Sequence, residues 1–238
     1  MNQQSNPSSN GNVLVNKPPG LSSFQCVKKV RYETQVKKVG HAGTLDPFAN
    51  GLLIIAVGKS FTTQINKVVD MPKTYWTSMI CGVSTNTLDS YGEVTKVEPL
   101  EKMPTTEEIN TVLQSFLGKQ DQVPPAFSAK KIQGQRAYDL ARKNIEVVLE
   151  PAKIEILEIE CLKVRESKFP EIQFKISCSK GTYVRKLVED IAAKLNTIAY
   201  TKDLIREAIG SFNLDDSLDY TNLTRDSLQE YCQLYGRN

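Results

Sequence analysis

Histidine is almost missing from this chain: His41 is the only one in 238 residues. An imidazole-rich metal site or a Ser/His/Asp triad therefore has little to be built from, and metal-free carboxylate chemistry gains ground. The five cysteines (Cys26, Cys81, Cys161, Cys178, Cys232) are scattered and never fall in a CxxC spacing. That argues against a zinc site or a disulfide framework and for a reducing compartment. Long apolar runs are lacking too. The longest, residues 52–57, is far too short to cross a bilayer, and residues 1–12 lack the apolar stretch of a signal peptide. A soluble, cytoplasmic protein without a membrane partner is expected. Charge of one sign is also scarce: 30 Lys plus Arg against 27 Asp plus Glu leave +3, so any acidic partner must be inferred from local clusters.

What is present suits a globular protein. A hydrophobic content of 40% with 24% charged residues is enough for one large or two modest domains with a real core. Residues 1–12, rich in Asn, Gln and Ser, cannot bury enough surface to order themselves and are expected to form a flexible tail before a domain over 13–238. A short strand at 13–15 is broken by Pro18-Pro19-Gly20, and Ser22 or Ser23 caps a helix to about Tyr32. Residues 51–58 read as a buried strand and 74–80 as a second, carrying Tyr75 and Trp76. A loop over 40–50 precedes the first of these.

Farther along, Thr105 and Glu108 form a capping box before Ile109, Val112, Leu113 and Phe116 at helical spacing, and Gly118 suits the helix end. Residues 137–143 look helical. Ile154 and Ile156, then Ile172, Phe174 and Ile176, alternate as half-buried strands. After Lys180-Gly181-Thr182 a helix buries Val184, Leu187, Val188, Ile191 and Leu195, with Arg185 off that face, and 223–235 supplies a closing helix. The order predicts an α+β fold with a mixed, largely antiparallel central sheet. Strict strand–helix alternation and a GxGxxG turn are absent, which excludes a dinucleotide-binding fold.

The most informative stretch is Val39-Gly40-His41-Ala42-Gly43-Thr44-Leu45-Asp46-Pro47-Phe48-Ala49-Asn50-Gly51, which sets one carboxylate in a glycine-rich segment. Pro47 biases Asp46 toward extended geometry, and Gly40 and Gly43 permit turns or close approach, so a substrate can reach the carboxylate. Asp-Pro is also common turn chemistry, and on spacing alone the alternative is that Asp46 shapes a turn.

This segment closely resembles the GHxGxLDPxAxG motif of the bacterial tRNA pseudouridine synthase B family. Other stretches match in the family's order: residues 16–23 resemble its KPxGxSS start, Lys73-Thr74-Tyr75 its KxY strand, and 84–92 its TDTxDxxG segment with Asn86 for the first Asp. Residues 124–134 resemble PPxYSAxKxxG with Phe127 for Tyr, and 178–185 are similar to CSKGTYIR. The resemblance covers roughly 13–212. It implies the pseudouridine synthase fold with an RNA-binding cleft, a cofactor-free uridine-to-pseudouridine isomerisation in the T arm of tRNA, and a monomer that needs no protein partner and no metal.

By the same resemblance Asp46 is the essential carboxylate, whether it acts as nucleophile or base. Arg185 is its basic partner, since an opposite charge close by favours the ionised form; standing alone it would read as a solvated helix arginine. A uridine inside folded RNA must be extruded, and Tyr75 is the matching stacking ring, although a strand tyrosine is more often core. Leu204 adds an apolar wall beside Tyr183; its default reading is helix packing. His41 fills space left by the flipped base or is a hydrogen-bonded loop residue. Lys17 and Lys130 contact phosphates, and Asp89 meets RNA or caps its turn. Two basic groups, Lys28, Lys29, Arg31, Lys37, Lys38 and Lys130, Lys131, Arg136, Arg142, Lys143, flank matched motifs and suit phosphate neutralisation or solvated surface.

Departures are visible too. Tyr200 and Ile205 replace a histidine and an arginine of the family's AHxxxLRR, and no C-terminal PUA domain is expected in the 26 residues after Phe212. Rival readings are a synthase acting on another RNA, including the guide-RNA-dependent relatives, and a non-catalytic RNA-binding or RNA-folding protein. A generic α+β protein would require every ordered match to be accidental.

Overall fold

The structure is a computed structural model that describes residues 10–128, 130–132, 135–137 and 149–234. The chain divides into two compact units, residues 1–71 with 205–238, and residues 72–204.

In the first unit the strand Gly11–Lys17 runs antiparallel to Asn50–Val57, in register from Gly11 opposite Val57 to Lys17 opposite Gly51. On its other edge it pairs in parallel with Leu218–Asp219. The strand thus starts two residues before the expected 13, and Gly11 and Asn12 belong to it rather than to the tail. Seven of the eight residues of Asn50–Val57 are buried, which is why that segment reads as a continuous apolar run. Ser22 caps the helix Ser23–Thr34 through a complete capping box with Gln25, and Gln35 ends it in the left-handed region at φ 56°. That helix buries Cys26, Val27 and Val30 against the sheet, and the closing helix Arg225–Leu234 adds Leu228 and Tyr231.

One expectation fails here. Residues 39–42 are not loop: Val39–Ala42 is a strand antiparallel to Asn50–Val57, with His41 opposite Ile55 and Ala42 opposite Ile54. The glycine content suggested a loop from residue 40, but the loop is confined to residues 43–49 and opens at Gly43, at φ 81°.

The strand Ala199–Ile209, which starts in the second unit, is followed in the sheet by Lys73–Cys81, Glu171–Cys178, Ala152–Arg165 and Gly118–Gln122, each of these four antiparallel to the next. Tyr75 lies opposite Ile176. The inward residues Met79, Ile154, Ile156, Ile172, Phe174 and Ile176 are all buried. The helix Thr106–Gln114 carries the expected capping box, and buries Ile109 and Leu113. Gly118, expected at that helix's end, instead opens the next strand at φ 91°. The helix Val184–Lys194 buries Val184, Leu187, Val188 and Ile191 as its spacing requires. Residues 199–209, where helix packing was the default reading for Leu204, form a strand. Of the helix expected over 137–143 only Ala137 is among the described residues.

Candidate active site

Asp46 sits in the connection between Val39–Ala42 and Asn50–Val57, and it is half-buried. The connection is fastened at several points. The buried Ser23 hydroxyl donates to the Leu45 carbonyl at 3.1 Å and accepts from the Leu45 amide at 2.9 Å. The Gly20 amide donates to the Pro47 carbonyl at 2.8 Å, and the Ala49 amide to the Asp46 carbonyl at 3.2 Å. Leu45, Phe48 and Ala49 are buried, so the residues flanking the carboxylate anchor it in the core. Helix, proline turn and strand thus converge on one acidic residue.

Lys17, expected to contact phosphate, is fully buried. Its ammonium donates to the carbonyls of Pro18 at 2.9 Å and Leu21 at 2.8 Å, so it holds the proline turn instead. Burial pulls its pKa down to about 8, with Arg206 adding to the fall and Cys26 and Asp46 opposing it. His41 is half-buried in its strand. It lines a recess of about 580 Å³ together with Arg31, Lys37, Lys38, Gly40 and Thr62. Three members of one basic group seen in the sequence, Arg31, Lys37 and Lys38, therefore line a concave surface at the strand that leads into the Asp46 connection.

The second unit gathers another set. Arg185 was expected off the buried face of its helix, yet it is 3% exposed. Its Nη1 donates to the Thr87 carbonyl at 2.6 Å and its Nη2 to the Phe127 carbonyl at 2.9 Å, with Asp89 Oδ2 3.6 Å from Nη1. Asp89 is buried as well, and its Oδ1 accepts from the Thr87 hydroxyl at 2.7 Å and the Tyr91 amide at 3.0 Å. Between them Leu88 is held at φ 62°, a conformation leucine rarely adopts, and its carbonyl accepts from the Thr201 amide at 3.0 Å. Asn86, the departure from the family's Asp, uses its side-chain oxygen to accept from the Glu93 amide at 3.0 Å, so it closes the same turn.

Tyr75 is 8% exposed on its strand, and Leu204 is 5% exposed. Tyr183, at the start of the helix Val184–Lys194, is clasped by Gln122: its amide donates to Oε1 at 2.8 Å and its carbonyl accepts from Nε2 at 3.1 Å. Lys130 donates to the Glu150 carbonyl at 2.8 Å. The side chains of Lys131 and Arg136, and all of Arg142 and Lys143, lie outside the described residues. Among the described residues no group of His, Cys, Asp and Glu is placed to hold a metal ion.

Sequence reasoning passed over Arg206. This residue is 1% exposed, and its Nε donates to the Leu52 carbonyl at 2.7 Å while Nη2 donates to the Gly43 carbonyl at 3.2 Å. The only signal was its place in the stretch compared with the family's AHxxxLRR, because both partners are more than 150 residues away in the chain.

Comparison with known proteins agrees with this geometry. Residues 31–184 match the family model described as TruB family pseudouridylate synthase, N terminal domain. The tRNA pseudouridine synthase B of Clostridium tetani is 40% identical over 222 residues, which are 93% of this chain and 75% of that protein. The protein of the same name from Nostoc sp. is 41% identical over 90% of this chain and 72% of its own length. Among solved structures, a chain of a Cbf5-Nop10-Gar1 complex superposes with a TM-score of 0.70 at 23% identity over 96% of this chain. A chain of an H/ACA RNP bound to a substrate RNA containing 2'-deoxyuridine gives 0.67 at 21% identity over 95%. This chain spans 56% of the length of each of those two, and the likeness establishes the fold. With the family model covering well over half of the chain and relatives at such identity along nine-tenths of it, the chain belongs to the TruB family of pseudouridylate synthases.

Proposed function

We propose that this chain isomerises a uridine in the T arm of tRNA to pseudouridine, with Asp46 as the essential carboxylate and no cofactor. The observation that carries the reading is the fastened segment around Asp46: one half-buried carboxylate, held by Ser23, Gly20 and Arg206 through its neighbours, in a chain of this family.

The reaction breaks the N1–C1' bond, turns the detached uracil and forms a C5–C1' bond; C5 loses its proton and N1 gains one. A carboxylate fixed in place can attack as a nucleophile or take a proton as a base, and either use needs it held rather than mobile. Since the base must leave its stack to be reached, an aromatic ring is needed to receive it, and we assign that part to Tyr75. Arg185 is the cationic partner in this reading, Tyr183 and Leu204 supply apolar surface, and Asp89 fixes Arg185. The recess of Arg31, Lys37, Lys38 and His41 suits an RNA phosphate, and Lys130 lies in the second basic group. The proposal is of a cytoplasmic monomer whose partner is tRNA; among the described residues no helix is long and apolar enough to cross a membrane.

The test is tritium release from C5-labelled uridine, in a T-arm stem-loop and in full-length tRNA, by wild type and Asp46→Asn at matched RNA binding. Release by wild type alone, with the product mapped to the T arm, is the expected result. Release by both proteins would remove Asp46 from the chemistry. Binding without release by wild type would sink the T-arm assignment and leave another RNA or a binding role.

A further inference from the structure

We propose that Arg206 is a positioning residue for the reaction, a guanidinium clamp that ties together the two flanks of the Asp46 segment; the inference rests on Asp46 being the essential carboxylate. One edge of the strand Asn50–Val57 is paired with Gly11–Lys17 from Gly51 to Val57. The other edge is shared: Val39–Ala42 pairs with it from Val57 down to Ile54, and Ile205–Arg206 pairs with Asn50 and Gly51. The Asp46 segment leaves and rejoins the sheet between those two neighbours, and among the described residues no strand fills the gap at Leu52 and Leu53.

Arg206 fills it with a side chain. Nε takes the Leu52 carbonyl, six residues after Asp46, and Nη2 takes the Gly43 carbonyl, three residues before it. Both flanks are thereby fixed by one rigid plane. The planar fork presents two nitrogens in fixed directions to the two acceptors, whereas a lysine would have to reach both from a single nitrogen on a flexible stem. The base of the clamp is fixed too. Gly51 has φ 108°, and a Cβ there would lie 2.5 Å from the Arg206 carbonyl oxygen and 2.7 Å from its amide nitrogen, so the two backbones are in direct contact.

Stability alone does not explain the choice. A guanidinium 1% exposed that makes no ion pair among the described residues is costly to desolvate, and an apolar side chain would fill the space more cheaply. What the arginine adds is the fixed separation of Gly43 from Leu52. Displacing a reacting group by an ångström lowers a rate on the order of 100-fold.

The experiment measures single-turnover tritium release at saturating tRNA, tRNA affinity and thermal melting for wild type, Arg206→Lys, Arg206→Gln and Asp46→Asn. Expected are folded arginine variants with unchanged affinity and a release rate lowered about 100-fold, Arg206→Lys less affected than Arg206→Gln, and Asp46→Asn inactive. An unchanged rate in a folded variant would overturn the clamp, as would a rate loss matched by lost affinity, which would mark a binding residue. Failure of both arginine variants to fold would make Arg206 a residue of the fold and equally overturn it. Release by Asp46→Asn would bring down the underlying assignment of the carboxylate, and the clamp with it.

Discussion

Lys17 shows how a single buried charge connects folding to the site. Its ammonium is enclosed and held by two carbonyls, and burial pulls its pKa from 10.5 down to about 8. The unfolded chain therefore binds a proton more tightly than the folded one across the interval from about 8 to 10.5. Below that interval both states are protonated and the desolvation cost is fully present; as pH rises through it the folded state sheds its proton first, and stability increases. Wild type should accordingly gain stability relative to Lys17→Met on going from pH 7 to pH 10, by up to ~3 kcal/mol. Urea unfolding at the two pH values measures the difference; a difference that stays constant or shrinks would mean that Lys17 keeps its proton in the fold. Arg185 is the complementary case. Helical spacing put it off the apolar face, but spacing does not register the carbonyls of Thr87 and Phe127, which come from distant segments and draw the guanidinium inward.

Elements whose cause is local were readable, and those whose cause is remote were not. The cap at Ser22 or Ser23 and the capping box of Thr105 with Glu108 define two helix starts within a few residues, so Ser23–Thr34 and Thr106–Gln114 could be placed from sequence, the structure choosing Ser22. Val39–Ala42 and Ala199–Ile209 escaped, because their strand state depends on partners such as Ile55 and Gly51 rather than on their own pattern. The same division runs through the site: Asp46 stood out in a continuous motif, whereas Arg206 acts through contacts that only the fold creates. Local control of the first helix also predicts a number. Ser22→Ala removes the acceptor for the Gln25 amide and should cost roughly 1 kcal/mol of stability. Because the neighbouring Ser23 holds Leu45, fraying at this end should also lower tritium release, with tRNA affinity kept. Denaturation and single-turnover assays on the one variant test both; an unchanged denaturation midpoint would show that the cap contributes nothing.

At the scale of the molecule, each compact unit carries its own buried thiols. Cys26 and Cys232 belong to the first, Cys81 and Cys178 to the second, and all four are enclosed. Burial pushes Cys81 up to about 12 and Cys178 and Cys232 up to about 11, so the thiolate that an alkylating reagent needs forms only when the surrounding structure opens. The strand Ala199–Ile209 runs unbroken from one unit into the other. Its Asp203 accepts from Thr77 and Ser78 in the second unit, and its Arg206 holds Leu52 and Gly43 in the first. A strand that begins in one unit and ends in the other ties their openings together along the chain, so a single cooperative transition is expected. Pulsed alkylation along a urea gradient, with labelled cysteines identified by mass, should therefore give one shared midpoint for Cys81, Cys178 and Cys232. Separate midpoints for the two units would show that the strand transmits no stability between them, and would confine the influence of Arg206 to the unit that holds Asp46.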